Sequence, residues 1–282
     1  MKAEVERVRR KHPESLDAYD LYLKAVPMVY SADVPSYSNA IKLLDQAVAL
    51  DPRFAPVLAA GAWAHEKRLT FGGVAPAGVD DKAMAIDLAR QALAADPDDA
   101  MVLAIAGWFF ILLLDDFGGG LTLSKRALAL NPNGLLLLHF GGIAHGYCGD
   151  LDESIACHTR ALQISPGALD TYMNLTGLAF AHIYAGRFEA AIECALQSLD
   201  THQNWELTFE CLAIAYAHLD RMEEARDMVR RVVALRPEPA GPWVVSRPFP
   251  FPERMAYWND GRAKAWQSYN EHSAANARQV RR

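Results

Sequence analysis

The chain has 282 residues, 51% hydrophobic and 22% charged, which excludes intrinsic disorder and leaves ample length for a core. With 28 basic against 34 acidic residues the formal charge is −6, a poor balance for wrapping a polyanion. Four cysteines, Cys148, Cys157, Cys194 and Cys211, are too few for a secreted disulfide scaffold of this length.

From the N-terminus, MKAEVERVRRKH carries no apolar stretch of the signal-peptide kind, so a soluble, reduced, cytoplasmic protein is expected. Residues 1–20 are read as an arm leading into the first helix. Its Arg7, Arg9, Arg10 and Lys11, like Arg281 and Arg282 at the other end, are expected to be solvated rather than bound to nucleic acid. The first unit has Pro27 inside its first helix and VPSYS before its second, and closes on AVALDP at Pro52. The phrase then returns as ALAADP at Pro97, ALALNP at Pro132, ALQISP at Pro166, a degraded SLDTHQ at Gln203, and VVALRP at Pro237. The steps between these ends are 45, 35, 34, 37 and 34 residues. A period near 34 is that of a helix-turn-helix unit stacked into a solenoid. The eleven residues by which 45 exceeds 34 are placed in LTFGGVAPAGVDD, residues 69–81, whose Gly and Pro break helices. Three more lengthen the fifth unit, around AFAHIYAG.

Three further columns obey the same register. Five residues before each end stand Ala47, Ala92, Ala127, Ala161, Ser198 and Val232. Seven residues earlier stand Ala40, Ala85, Gly120, Ser154, Ala191 and Ala225. Ten residues after each of the first five ends stand Ala62, Gly107, Gly142, Thr176 and Ala213. Antiparallel helices approach closely only where the crossing residues are small, and Leu44, Leu88, Leu123, Ile155, Ile192 and Met228 fill the space around the crossings. Each terminal proline stops the second helix and turns the chain into the next unit. The longest apolar run, MVLAIAGWFFILLL, is fourteen residues, short of the roughly 17–25 that span a bilayer, and is read as a buried helix.

Over residues 21–239 the small columns and terminal prolines resemble the tetratricopeptide repeat (TPR) family, though the family's aromatic positions in the first helix are patchy here. The resemblance implies an all-α fold, a right-handed α-solenoid of about six TPR-like helical hairpins. It implies a C-terminal capping helix within residues 240–272, after a Pro-rich turn, and a polar tail at 273–282. The opening RRKHPESLDAYDLYLKA and the closing VSRPFPFPERMAYWNDGRAKA are similar to the flanks of the TPR region in bacterial class III adenylate cyclase-like and winged-helix regulators. That leaves two readings: an interaction scaffold in a signalling protein, or the C-terminal region of a cyclase whose catalytic domain is absent from this chain.

Neither catalytic residues nor a cofactor is expected, because GxSxG, Walker A and HExxH are all missing. In FGGGLTLSK, residues 117–125, Gly118 and Gly119 are expected to end one helix and permit the reversal. Asp115, Asp116, Glu223 and Glu224 are expected near helix starts, where carboxylates offset the helix dipole. His145, Cys148, Cys157 and His158 lie on two helices of one hairpin and could approach one another as zinc ligands do. Their spacing fits no zinc-binding pattern, and core packing is the expectation, with no metal.

First helices of successive units share one face of a solenoid, and in the resembled family that face is a peptide-binding groove. One residue beyond the small column it reads Trp63, Trp108, Ile143, Gly177 and Ile214; neighbouring turns add Ile111, Leu112, His139, Tyr147, Met173 and Phe180. Only Lys67 is basic there, so a carboxylate clamp is not expected. The side chains either pack between neighbouring first helices or form a groove for an apolar or helical segment of a protein, whether from another protein, from this chain or from a second copy. His139 and Tyr147 would supply the polar contacts.

Overall fold

A computed structural model describes residues 16–31, 34–71, 73–167, 171–235 and 252–280. The basic arm, the Pro-rich turn and the final arginines lie outside the described residues. Every regular element among the described residues is an α-helix: α1 (Leu16–Tyr30), α2 (Val34–Leu50), α3 (Ala55–Thr70), α4 (Asp81–Ala95), α5 (Ala100–Leu114), α6 (Phe117–Leu130), α7 (Leu135–Tyr147), α8 (Leu151–Ile164), α9 (Thr171–Tyr184), α10 (Phe188–Thr201), α11 (Glu206–His218), α12 (Met222–Leu235) and α13 (Pro252–Val280).

The chain divides into two units, Met1–Leu114 and Asp115–Arg282. In the first, each of α1 to α5 packs on the next, and the first helices α1, α3 and α5 also pack in succession. In the second, α6 to α12 do the same, with α7 on α9 and α9 on α11, and α13 packs on α11, α12 and α9.

All three small columns are buried throughout, from Ala40 and Ala47 in the first unit to Ala225 and Val232 at the last hairpin. Where a hydroxyl replaces a methyl in a column, it must find a partner. Thr176 and Ser198 both donate to the Tyr172 carbonyl, at 2.8 and 3.1 Å, and both meet the Thr208 hydroxyl, at 2.8 and 3.1 Å.

The recurring phrase has an atomic meaning. At the five ends within the described residues, the residue before the end donates its N–H to the carbonyl of the column residue: Asp51 to Ala47, Asp96 to Ala92, Asn131 to Ala127, Ser165 to Ala161 and His202 to Ser198, at 2.9–3.1 Å. Proline has no N–H to offer, so the next one along turns back to the capping side chain. Arg53 donates to Asp51, Asp98 to Asp96, Asn133 to Asn131 and Asn204 to His202, at 3.2–3.3 Å. Position 203 keeps this turn without its proline because His202 accepts in place of a carboxylate.

The reversal from first to second helix has its own column, absent from the small-residue pattern. Asp115, Gly149, Gly186 and Asp220 take the left-handed conformation, with φ of 56°, 85°, 69° and 55°. Each is followed by the first capping residue of the second helix. In three cases that residue donates to the carbonyl five positions back: Asp150 to His145, Arg187 to His182 and Arg221 to Tyr216, at 2.8–2.9 Å. This corrects the placement of the reversal at Gly118 and Gly119. Helix α5 ends at Leu114, and both glycines lie in the first turn of α6, whose cap Asp116 accepts from the Gly119 N–H at 2.8 Å.

Two length differences fall as follows. Residues 71–80 join α3 to α4. The three extra residues of the fifth unit fall around AFAHIYAG, since α9 ends at Tyr184, eighteen residues after Pro166, whereas α7 and α11 end fifteen residues after Pro132 and Gln203. Helix α1 runs through Pro27 without a break.

Candidate functional site: the first-helix faces

In the first unit, α3 is buried at Ala55 and from Val57 to Arg68, including the polar run His65, Glu66, Lys67 and Arg68. Trp63 meets the edge of Tyr30, ring centroids 5.2 Å apart, and so packs inside rather than lining an open face. One turn on, the Lys67 ammonium lies 5.1 Å from the Trp63 ring, 5.5 Å from Phe71 and 5.7 Å from Tyr37. Burial pulls its pKa down to about 8 against the opposing charge of Glu66. On the other side, Asp81 at the start of α4 accepts from Arg68 at 2.6 and 2.9 Å and pairs with His65 Nδ1 at 2.6 Å. Burial works to raise the Asp81 carboxyl, but the bonds from Arg68 and His65 outweigh it and hold it below the ordinary carboxylate value. The arrangement ties the ends of α3 and α4 together across residues 71–80. On α5, Ile111 and Leu112 are buried and Trp108 is half-buried.

In the second unit, α7 is enclosed on nearly all sides, because glycines at 141, 142 and 146 let its neighbours close in. His139 is therefore inside, its ring 5.7 Å from that of His158, and the expected His139–Tyr147 polar pair is not presented at the surface. Met173 and Ile214 are also buried; Ile143, Tyr147 and Phe180 are half-buried. In each unit the accessible part of this face is thus narrower than the sequence pattern suggests: Trp108 among the candidates of the first, and Ile143 and Tyr147 among those of the second.

The four candidate metal ligands serve separate structural ends. His145 Nδ1 lies 3.2 Å from Asp150, and the Cys148 thiol contacts the Phe117 carbonyl at 3.4 Å. Cys157 packs against Leu138 and Ala161, and burial pushes both the Cys148 and Cys157 thiols up to about 11. His158 donates from Nδ1 to Asn174 Oδ1 at 3.0 Å, and burial carries its pKa down to about 4. Among the described residues no three His, Cys, Asp or Glu are arranged to hold a metal ion. Nor is any described helix long and apolar enough to cross a membrane.

Phe180 does not face solvent alone. Trp258 of α13 lies flat on it, centroids 4.6 Å apart and planes inclined by 12°, with Tyr184 at 6.2 Å. Met255, Trp258, Gly261 and Ala265 form the buried side of α13. His218 at the end of α11 stacks on Phe188, centroids 4.1 Å apart, and donates from Nε2 to the Tyr257 carbonyl at 2.6 Å. Arg262 reaches Glu210 of α11 at 3.2 Å, and Arg226 of α12 donates to Ser268 at 3.1 Å. The C-terminal helix therefore does more than cap the last hairpin; it lies on the first-helix face of α9 and α11. Sequence reasoning placed Phe180 and Ile214 on that face and did not name Met255, Trp258, Gly261 or Ala265, although their spacing of three and four is that of one helical side.

No family model matches this chain, and no curated protein matches it. Similar solved structures include a chain of the APC/C hetero-tetramer Cut9–Hcn1, at 16% identity and TM-score 0.58, covering 88% of this chain and 46% of that one. PilW, a type IV pilus biogenesis factor, is similar at 18% identity and TM-score 0.55, covering 79% of this chain and 96% of that one. A thermophilic TPR protein of Thermus thermophilus, TTC0263, is similar at 16% identity and TM-score 0.52, covering 69% and 96%. This chain spans less than half the length of the first of these. The likeness establishes the TPR fold.

Proposed function

We propose that the chain is a protein-interaction scaffold without catalytic chemistry of its own, whose first-helix face takes an apolar or amphipathic helical segment. The observation that carries this reading is α13, an amphipathic helix seated on α9 and α11 with Trp258 against Phe180. Large buried aromatic anchors of this kind dominate the energetics of helix-in-groove recognition. Resemblance of the opening and closing segments to bacterial regulators supports a place in a signalling protein, where such a module holds the partner.

Trp108 and Tyr147 are half-buried, one in each unit, so replacing both by alanine trims the accessible face of each unit without opening a buried crossing. A protein captured by the wild-type chain and lost from a folded Trp108→Ala/Tyr147→Ala variant supports the reading. Identical capture by both contradicts it.

A further inference from the structure

Glycine is the poorest helix former after proline, yet Gly261 stands within the 29-residue helix α13. A Cβ there would lie 2.7 Å from the His218 ring and 2.8 Å from Ile214 Cγ2, so the glycine is what allows α13 to close on α11. Around that contact the face is specific. Phe180 offers a flat ring to an indole, and Glu210, nearly buried, is met by the guanidinium of Arg262. A carboxylate so little exposed needs a cation beside it, which restricts what can take the place of α13. The polar ties at the rim, Asp260 with His218 at 3.9 Å and with Lys264 at 2.9 Å, both run through the half-exposed Asp260 carboxylate and hold weakly.

We propose that the α9–α11 face is a docking site for a partner helix presenting a tryptophan, a small residue one turn on and an arginine beside it, and that α13 is the resident occupant that such a helix displaces. The inference rests on reading the first-helix face as an interaction surface, and adds that the surface is closed by the chain itself. An incoming helix with this pattern remakes the ring stack on Phe180 and the ion pair with Glu210, so neither group is left without a partner once the exchange is complete. Helix α13 is connected to α12 through sixteen residues, 236–251, a length that can span roughly 50 Å and leaves it tethered after release.

The probe is a fluorescein-labelled peptide of residues 252–270, titrated by anisotropy against the intact chain and against Gly261→Leu and Trp258→Ala. One variant wedges α13 off α11 and the other removes its anchor, and both substitutions lie in α13, outside α7–α12. At least tenfold tighter binding by either variant than by the intact chain supports the proposal, as does loss of that binding when the peptide carries Arg262→Glu. Equal affinity for the intact chain and both variants overturns it, because α13 then does not close the site, while the interaction surface itself stands. Absence of binding to all three overturns the proposal and the interaction reading together.

Discussion

His158 and Asn174 meet across two helices of neighbouring hairpins, Nδ1 to Oδ1 at 3.0 Å, while the far nitrogen of the imidazole is wedged between two glycines. With Nδ1–H donating to the amide oxygen, Nε2 is a bare acceptor, and no described group bonds to it. Charging this ring would bury an unpartnered N–H, so the folded state keeps it neutral to about pH 4, while the unfolded chain protonates it near 6.5. The unfolded state therefore binds more protons between those values, and stability falls as pH drops through the window. The loss amounts to about 3 kcal/mol once both values are passed. Urea midpoints at pH 7 and pH 4.5 should differ less for His158→Gln than for the wild type; equal differences would remove this role.

The same ring sets the cost of filling its cradle. A Cβ on Gly177 would overlap the His158 ring, and one on Gly142 would lie 2.6 Å from it, so Gly177→Ala must displace a ring that is already hydrogen-bonded. A destabilisation of roughly 1–3 kcal/mol is expected, against the helix-propensity gain of alanine. At Gly118, in the first turn of α6, nothing lies within 4 Å, and Gly118→Ala should instead stabilise by about 0.4–1 kcal/mol. Chemical denaturation of the two variants side by side checks the opposite signs.

Lys67 gives a dependence at the alkaline end. Its folded pKa of about 8 lies below the ordinary 10.5, so the unfolded chain holds the extra proton between these values. Stability from this group therefore rises with pH across that interval. Lys67→Met should flatten the rise seen between pH 7.5 and pH 9.5 in urea midpoints, and an unchanged slope would contradict the buried amine.

Ala161 lies at a helix crossing, 2% exposed, and its carbonyl closes the last turn of α8. Ala161→Leu should cost roughly 1–3 kcal/mol through overpacking. A thermal melt with no loss would place the crossing elsewhere.

Much of this scaffold was legible in the sequence because it rests on size. A crossing accepts Ala, Gly, Ser or Thr and little else, so Ala47, Ala127, Ala161 and Ala225 could be read from spacing and are all buried. The reversal column was not legible, because Asp115 and Asp220 reach the left-handed region as well as Gly149 and Gly186 do, and no single residue type marks it. The burial of His65, Lys67 and Arg68 was hidden for the opposite reason: charged residues read as solvated until Asp81 and the rings of Tyr37, Trp63 and Phe71 are seen around them. On the candidate face, pattern alone could not separate Phe180, which meets the C-terminal helix, from His139, which packs inward. That distinction depends on α13, which lies far along the chain from α9.

The most direct test of the account is amide hydrogen exchange on the intact chain, followed by mass spectrometry. Residues 255–266 of α13 should exchange as slowly as the buried helix α11, and Gly261→Leu should speed exchange there while leaving α7 and α8 unchanged. Exchange of residues 255–266 in the intact chain at the rate of a free peptide would contradict a C-terminal helix seated on Phe180 and Ile214.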